Sequence, residues 1–214
     1  MHGIGDRRAP GHSLQQPRGP RYYRSMPYLL LLSLLAADPP KNGTHVETWP
    51  NGKPKLEATY KDGRRHGLLR RWHENGTQAA HEEYEDGKWE GRRAAWWENG
   101  QEQFDWRYRE GKLDEGTWKA YHANGALWTE YRVGPGGKVP DQVQTAYHDN
   151  GKIEYRGKWK GESQDGKWEY FHRDGWRREQ RHYRKGQLHG RITVWNEKGE
   201  IVRQEEWRDG KRKE

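Results

Sequence analysis

The chain has 214 residues, with 40 Lys/Arg against 32 Asp/Glu and a formal net charge of +8. Only 30% of it is hydrophobic and 34% is charged, at a mean hydropathy of -1.49; an ordinary aliphatic core is excluded. Thirteen Trp and twelve Tyr exclude a disordered chain, which is poor in aromatics, and the lack of cysteine excludes disulfides, thiolate metal sites, Cys nucleophiles and a lipoprotein Cys anchor.

In chain order, the first predicted element is a leader. The stretch RYYRSMPYLLLLSLLAADPP has positive charge at Arg21 and Arg24, an apolar run from Tyr28 to Leu35, and small residues at Ala36 and Ala37. That is the pattern of a secretory signal peptide, and the run is too short for a membrane-spanning helix. Residues 1–25 lack any structural pattern, which points to Met26 as the true start. The expectation is an exported protein (periplasmic, secreted or envelope-associated), with a leader at 1–37 and a folded region at 38–214. The leader holds five Lys/Arg and one Asp, so without it the net charge of +8 falls to +4.

From residue 38 onward the chain repeats. A turn glycine recurs at Gly52, Gly76, Gly100, Gly125, Gly151, Gly175 and Gly199, at intervals of 24 to 26 residues. A second glycine follows about 11 residues later, usually preceded by an aromatic: Tyr60, Tyr84, Tyr108, Tyr183 and Trp207. Seven units of this length mark a repeat array. Asn-Gly is a strong hairpin signal, because a type I′ turn needs positive φ at both central residues. It stands at 51–52, 75–76, 99–100, 124–125 and 150–151, with Asp-Gly at 174–175 and Lys-Gly at 198–199. The intervening DGK and EGK segments turn the chain into the next unit. The expected fold is all-β, an elongated single-layer antiparallel meander of about seven tandem β-hairpin repeats, with an irregular stretch at VGPGGKVPDQV (133–143).

Taking the turn as two residues pairs Glu74 with Thr77 and, counting outward, Tyr84 with Gly67. The same count pairs Tyr60 with Gly43, Tyr108 with Gly91, Tyr183 with Gly166 and Trp207 with Gly190. An aromatic over a cross-strand glycine fills the gap that weakens a strand there. A second aromatic column, Trp72, Trp96, Tyr121, Tyr147, Phe171 and Trp195, falls on the opposite face by this count. A single layer has no second layer to cover two aromatic faces. Either the strip curls on itself or part of one face stays open to bind. The partner-binding residues expected on the open face are Trp72, Trp96, Trp97, Trp106 and Tyr121, with Trp97 and Trp106 beyond what the repeat pattern requires.

Catalytic and metal chemistry find little support. His73, His122, His148 and His172 recur at one repeat position, but neighbouring hairpins place them roughly 9–10 Å apart, too far to share one zinc ion. They read as solvated strand histidines. Carboxylate pairs such as Glu82-Glu83 and Glu205-Glu206 sit among Lys and Arg, as on exposed strand faces. Ser163 has no nucleophile-elbow context, and the glycines mark turns rather than a phosphate loop. No enzyme activity, metal or cofactor is expected.

These units resemble the MORN-repeat variant family, whose tandem motifs combine an aromatic, an Asn-Gly turn and a Tyr-x-Asp-Gly step, over about residues 45–214. Within that family they look most like bacterial YwqK-type antitoxins. The resemblance implies an interaction scaffold with a protein partner and, in its sharper form, one that neutralises that partner. The competing expectation is binding of acidic lipid, polysaccharide or nucleic acid through a face where Arg and Trp interleave, as in GRRAAWW (91–97). Dimerisation is a further expectation, since the terminal strands need protection. The leader sits awkwardly with a cytosolic antitoxin, and the 133–143 stretch departs from the family pattern.

Overall fold

The computed structural model describes residues 40–214; the leader at 1–37 and Met26 lie outside the described residues. Seventeen strands follow one another: β1 (Gly43–Thr48), β2 (Pro54–Lys61), β3 (Arg64–Trp72), β4 (Gln78–Glu85), β5 (Lys88–Trp96), β6 (Glu102–Arg109), β7 (Lys112–Leu113), β8 (Gly116–Tyr121), β9 (Leu127–Val133), β10 (Gln142–Tyr147), β11 (Ile153–Lys160), β12 (Ser163–Phe171), β13 (Arg177–Arg184), β14 (Gln187–Leu188), β15 (Gly190–Trp195), β16 (Ile201–Arg208) and β17 (Lys211–Arg212). Apart from two-residue β7, β14 and β17, they form seven antiparallel hairpins. Strand order follows sequence order in both sheets, β1–β7 and β8–β17. The array is the expected all-β meander.

The turns differ from the expectation in an instructive way. At the Asn-Gly loops only the glycine has positive φ, 94° at Gly76 for example; Asn75 does not. His73 N donates to Thr77 O and Gly76 N to His73 O, both at 2.9 Å, leaving Glu74, Asn75 and Gly76 as a three-residue loop. Such loops pair a type I turn with one left-handed residue. The loop is one residue longer than predicted, and a bulge beside Trp72 compensates: Trp72 pairs with Gln78 but Arg71 with Ala80. The body of the hairpin therefore keeps the predicted register. All five aromatic–glycine pairings hold: Tyr60 with Gly43, Tyr84 with Gly67, Tyr108 with Gly91, Tyr183 with Gly166 and Trp207 with Gly190.

True type I′ turns lie at the other end of the strands. Asp62-Gly63, Asp86-Gly87, Glu110-Gly111, Lys185-Gly186 and Asp209-Gly210 have positive φ at both residues, and Lys61 pairs directly with Arg64 across the first of them. Asn is not required at the Asn-Gly loops for its backbone; its side chain does the work. The Asn75 carboxamide accepts from Thr77 N at 2.8 Å and donates to Glu98 O of the next hairpin at 2.8 Å. Asn51, Asn99, Asn124 and Asn150 repeat this inter-hairpin bond.

The glycines facing the aromatics also serve a purpose other than the one expected. A Cβ on Gly67 would meet only Thr59, and on Gly166 nothing, so no ring covers them. They are glycine because φ is +88° and +70° there, where a side chain is disfavoured. At Gly67 the register with β2 also shifts, as at a bulge. A ring does cover a strand glycine at Gly157, opposite Trp168, whose indole occupies the space that a Cβ would fill.

The 133–143 stretch does not break the array. After Val133 the chain makes a 3-10 turn at Pro135–Gly137, closed by a Gly134–Lys138 bridge. The Gln142 carboxamide then replaces missing ladder bonds: it accepts from Arg132 N at 2.9 Å and donates to Arg132 O at 3.1 Å. Between β6 and β8, where the two sheets meet, the Trp106 indole donates to Lys119 O at 2.8 Å and Asp114 N to Arg107 O at 2.8 Å.

The core lies on the face that bears Tyr84, Tyr108 and Tyr183. Phe104, Trp106, Tyr108, Trp159, Trp168 and Tyr183 are buried there with Ala95, Leu113, Ala120, Val133, Leu188 and Ile192. Large rings cover one another within the layer, with centroids 5.1 Å apart for Trp89–Tyr108, 4.4 Å for Phe104–Trp106 and 5.3 Å for Trp159–Trp168. A buried Trp or Tyr removes on the order of 150–250 Å² from water, so these rings do what aliphatic side chains do elsewhere.

Candidate functional site: an arginine-capped aromatic file

Trp72, Trp96, Tyr121, Tyr147, Phe171 and Trp195 each end the first strand of a hairpin, and all six are half-buried. They form a file along the array, one per hairpin, on the face opposite the core. Strand alternation sets the face: Arg70, two residues before Trp72, pairs with Glu57 and His81, while Leu69 pairs with buried Ala58 and Glu82.

Guanidinium groups lie over four of its six rings. Arg70 Cζ is 5.7 Å from the Trp72 ring centroid and Arg92 Cζ is 5.7 Å from that of Trp96. Arg156 lies 5.6 Å from Phe171 and Arg177 5.4 Å from Trp195. These are cation–π distances. The cations are also paired: Arg70 with Glu57 at 3.1 Å, and Arg92 with Asp105 through both its Nε and Nη2. The face thus presents partly exposed rings framed by fixed charges of both signs.

The backbone of the file latches the hairpins together. Its carbonyls accept from the residue that opens the loop of the preceding hairpin: Trp72 O from the Trp49 indole at 3.0 Å, and Tyr121 O from the Trp97 indole at 3.0 Å. Histidine takes the same position elsewhere, with Nε2 of His73, His122 and His148 at 3.0, 2.7 and 3.2 Å from Trp96 O, Tyr147 O and Phe171 O. The expectation of solvated histidines fails for these three, which are half-buried; a ring nitrogen is needed to cross between hairpins. His172 alone of the four is exposed, stacked on Trp176 at 4.2 Å. Among the described residues, no three His, Asp or Glu side chains gather as a metal site.

Of the five residues expected to bind a partner, Trp72, Trp96 and Tyr121 share the file. Trp97 lies beside it, and its indole N–H is committed to the latch. It occupies the repeat position of Trp49 and His73, so it is not surplus to the pattern. Trp106 is a correction: it is 3% exposed and lies on the core face with Phe104 and Tyr131. The reason is alternation, since it stands two residues before Tyr108 in β6.

Polar groups buried in the core face escaped the sequence reading. Glu82, expected on an exposed face with Glu83, is 3% exposed. It accepts from the Tyr84 hydroxyl at 2.7 Å and from Arg93 Nε at 3.4 Å, and Arg93 Cζ lies 4.3 Å from the Trp89 ring centroid. Glu179 receives Arg181 in bidentate fashion at 2.8 and 2.9 Å. These two pairs desolvate opposite charges together, the condition under which such burial is tolerated. On the file's own face, buried Glu169 receives Arg156, Lys167 and Arg177 at 2.8, 3.2 and 2.9 Å. Burial opposes its ionisation, but hydrogen bonds from Arg156 and Lys167 outweigh that and hold its carboxyl below the usual glutamate range. An open groove of about 460 Å³ borders His66, His81, Glu83 and Glu90; Glu83 is already engaged by His81 and by Arg92 N.

No curated protein matches the chain. Three of its segments, residues 41–62, 114–132 and 164–185, match the MORN repeat variant family, and each covers one hairpin: β1–β2, β8–β9 and β12–β13. The other four hairpins repeat the same loop, and β3–β4, β5–β6 and β10–β11 the same latches, so the chain is a tandem hairpin array of which three units match the MORN repeat variant.

Proposed function

We propose that this chain is a non-enzymatic interaction scaffold that recognises a protein partner through the Trp72–Trp96–Tyr121 file. The observation that supports it is the contrast between faces. One is closed by mutual packing of its rings, whereas the other keeps half-exposed aromatics under paired arginines, the combination enriched at protein interfaces. In its sharper form the scaffold neutralises its partner, as an antitoxin does, and acts outside the cytoplasm after export.

A second reading is favoured by the arginines themselves: the face binds acidic lipid, polysaccharide or nucleic acid. Salt separates the two, because phosphate contacts weaken steeply with salt. The test is a pull-down with the tagged protein, washed at low and at high salt, beside a Trp72→Ala/Trp96→Ala variant. A discrete protein that survives high salt and is lost in the variant supports recognition. Capture only of lipid, glycan or nucleic acid that elutes with salt would replace it with the second reading.

A further inference from the structure

The four large hydrophobic side chains most exposed among the described residues are Val46, Val143, Ile201 and Val202, at 55–69%. Three of them stand on the first and last long strands of the array: Val46 on β1, and Ile201 and Val202 on β16. Among the described residues nothing pairs with the outer edge of β1, or with that of β16 before Glu206.

The β16 edge is shaped like an internal repeat junction. At the β13 edge, β14 pairs only with Tyr183 and Arg184, His189 N reaches His182 O at 2.9 Å, and β15 then pairs with Glu179 and Gln180. At the β16 edge, β17 pairs only with Trp207 and Arg208, and Lys213 N reaches Glu206 O at 2.8 Å. Among the described residues nothing takes the place that β15 has at the β13 edge. Counting from the loop glycines, Glu179 and Gln180 correspond to Arg203 and Gln204, while Val194 and Thr193 correspond to Glu47 and Val46 of β1. The observed pairs Glu179–Val194 and Gln180–Thr193 thus become Arg203 opposite Glu47 and Gln204 opposite Val46. One step further, Glu205 faces His45. Opposite charges meet at Arg203 and Glu47, and Val46 becomes the diagonal neighbour of Val202.

We propose that β1 of a second copy of this chain docks on the β16 edge and continues the array head to tail. Because the two edges differ, the contact is heterologous, and repeated use builds a chain of copies rather than a closed two-fold dimer. Glu47 exchanges its contacts with Lys55 and His45 for Arg203, which in the single copy has only a 4.0 Å approach to Glu205. This assembly does not depend on the partner proposed above, since it uses the strand edges and not the aromatic file.

The test is sedimentation velocity of the full chain over a wide concentration range. Species growing beyond a dimer are expected. Arg203→Glu and Glu47→Arg alone should each weaken association about tenfold. An equimolar mixture of the two, or the double variant, should regain it, because every junction then joins opposite charges. Rescue on mixing also shows that each variant is folded. Val46→Lys, at a 60% exposed position, gives an independent variant with the same expected loss. A wild type that stays monomeric throughout, or single variants that assemble as it does, would overturn the proposal.

Discussion

The indole of Trp97 donates to the carbonyl of Tyr121 at 3.0 Å, across a gap that His73 and His148 span at corresponding places in other hairpins. One repeat position therefore accepts two unlike side chains because both carry a ring N–H of similar reach. Trp97→His should retain most of the stability, whereas Trp97→Phe loses the bond and should cost about 1 kcal/mol. Tyr84→Ala should cost more than Trp97→Ala, about 3–5 kcal/mol, because it empties a buried site and strips Glu82 of a hydroxyl partner. Urea denaturation of the four variants orders them; equal losses for Tyr84→Ala and Trp97→Ala would erase the distinction between core and latch.

Gly157 is buried under Trp168. Gly157→Ala adds a methyl where the indole lies and should destabilise by about 1–3 kcal/mol through overpacking. Gly52→Ala is the contrast, since a Cβ there meets nothing but φ is +80°. Its cost is backbone strain, about 1 kcal/mol. Thermal unfolding with near-ultraviolet circular dichroism separates them, because only Gly157→Ala should disturb the tryptophan signal.

Glu169 supplies a pH dependence. Its carboxyl in the fold titrates below the ordinary glutamate value, so the unfolded chain binds this proton first as pH falls. The contribution is whole above about pH 4.3, the unfolded value, and disappears as pH drops through the lower folded value. Glu169→Gln should therefore be less stable near neutrality and show a flatter acid limb in urea midpoints measured between those limits. An acid limb as steep as that of the wild type would show that other carboxyls set it.

The step from the sixth hairpin to the seventh lacks both latches present in the earlier steps. His172 is exposed, and Asp174 stands where Asn75 and Asn150 donate to the next hairpin. Amide exchange should be fastest in β15 and β16. Asp174→Asn restores a donor facing Glu197, the residue that corresponds to Glu98, and should stabilise by about 0.5–1.5 kcal/mol while slowing exchange there. Unchanged exchange would show that the side-chain ladder does not limit opening at this junction.

The glycine columns and strand alternation make the hairpin count and the register legible, because a period of two fixes every face once one pair is known. Alternation also suffices for Trp106 and Glu82, which stand two residues before Tyr108 and Tyr84; reading the first as surplus and the second as solvated sets that rule aside. The turn type is a different matter. Asn75 is selected by a carbonyl 23 residues away, a partner that no local turn rule contains. The Trp97 latch is hidden for the same reason, since Trp and His look unrelated until both are seen to reach one acceptor. Gln142 bridging Arg132 depends on a side chain imitating backbone, which leaves no compositional mark.

The latches all run one way, with the donor in one hairpin and the acceptor in the hairpin that follows. Each hairpin touches only its neighbours, so under tension the array should come apart as a zip does and not as a globule. Pulled from its ends, it should yield in successive steps of one repeat, about 80 Å of extended chain for each 24 residues. The first step should fall at the junction after His172, where no latch has to break.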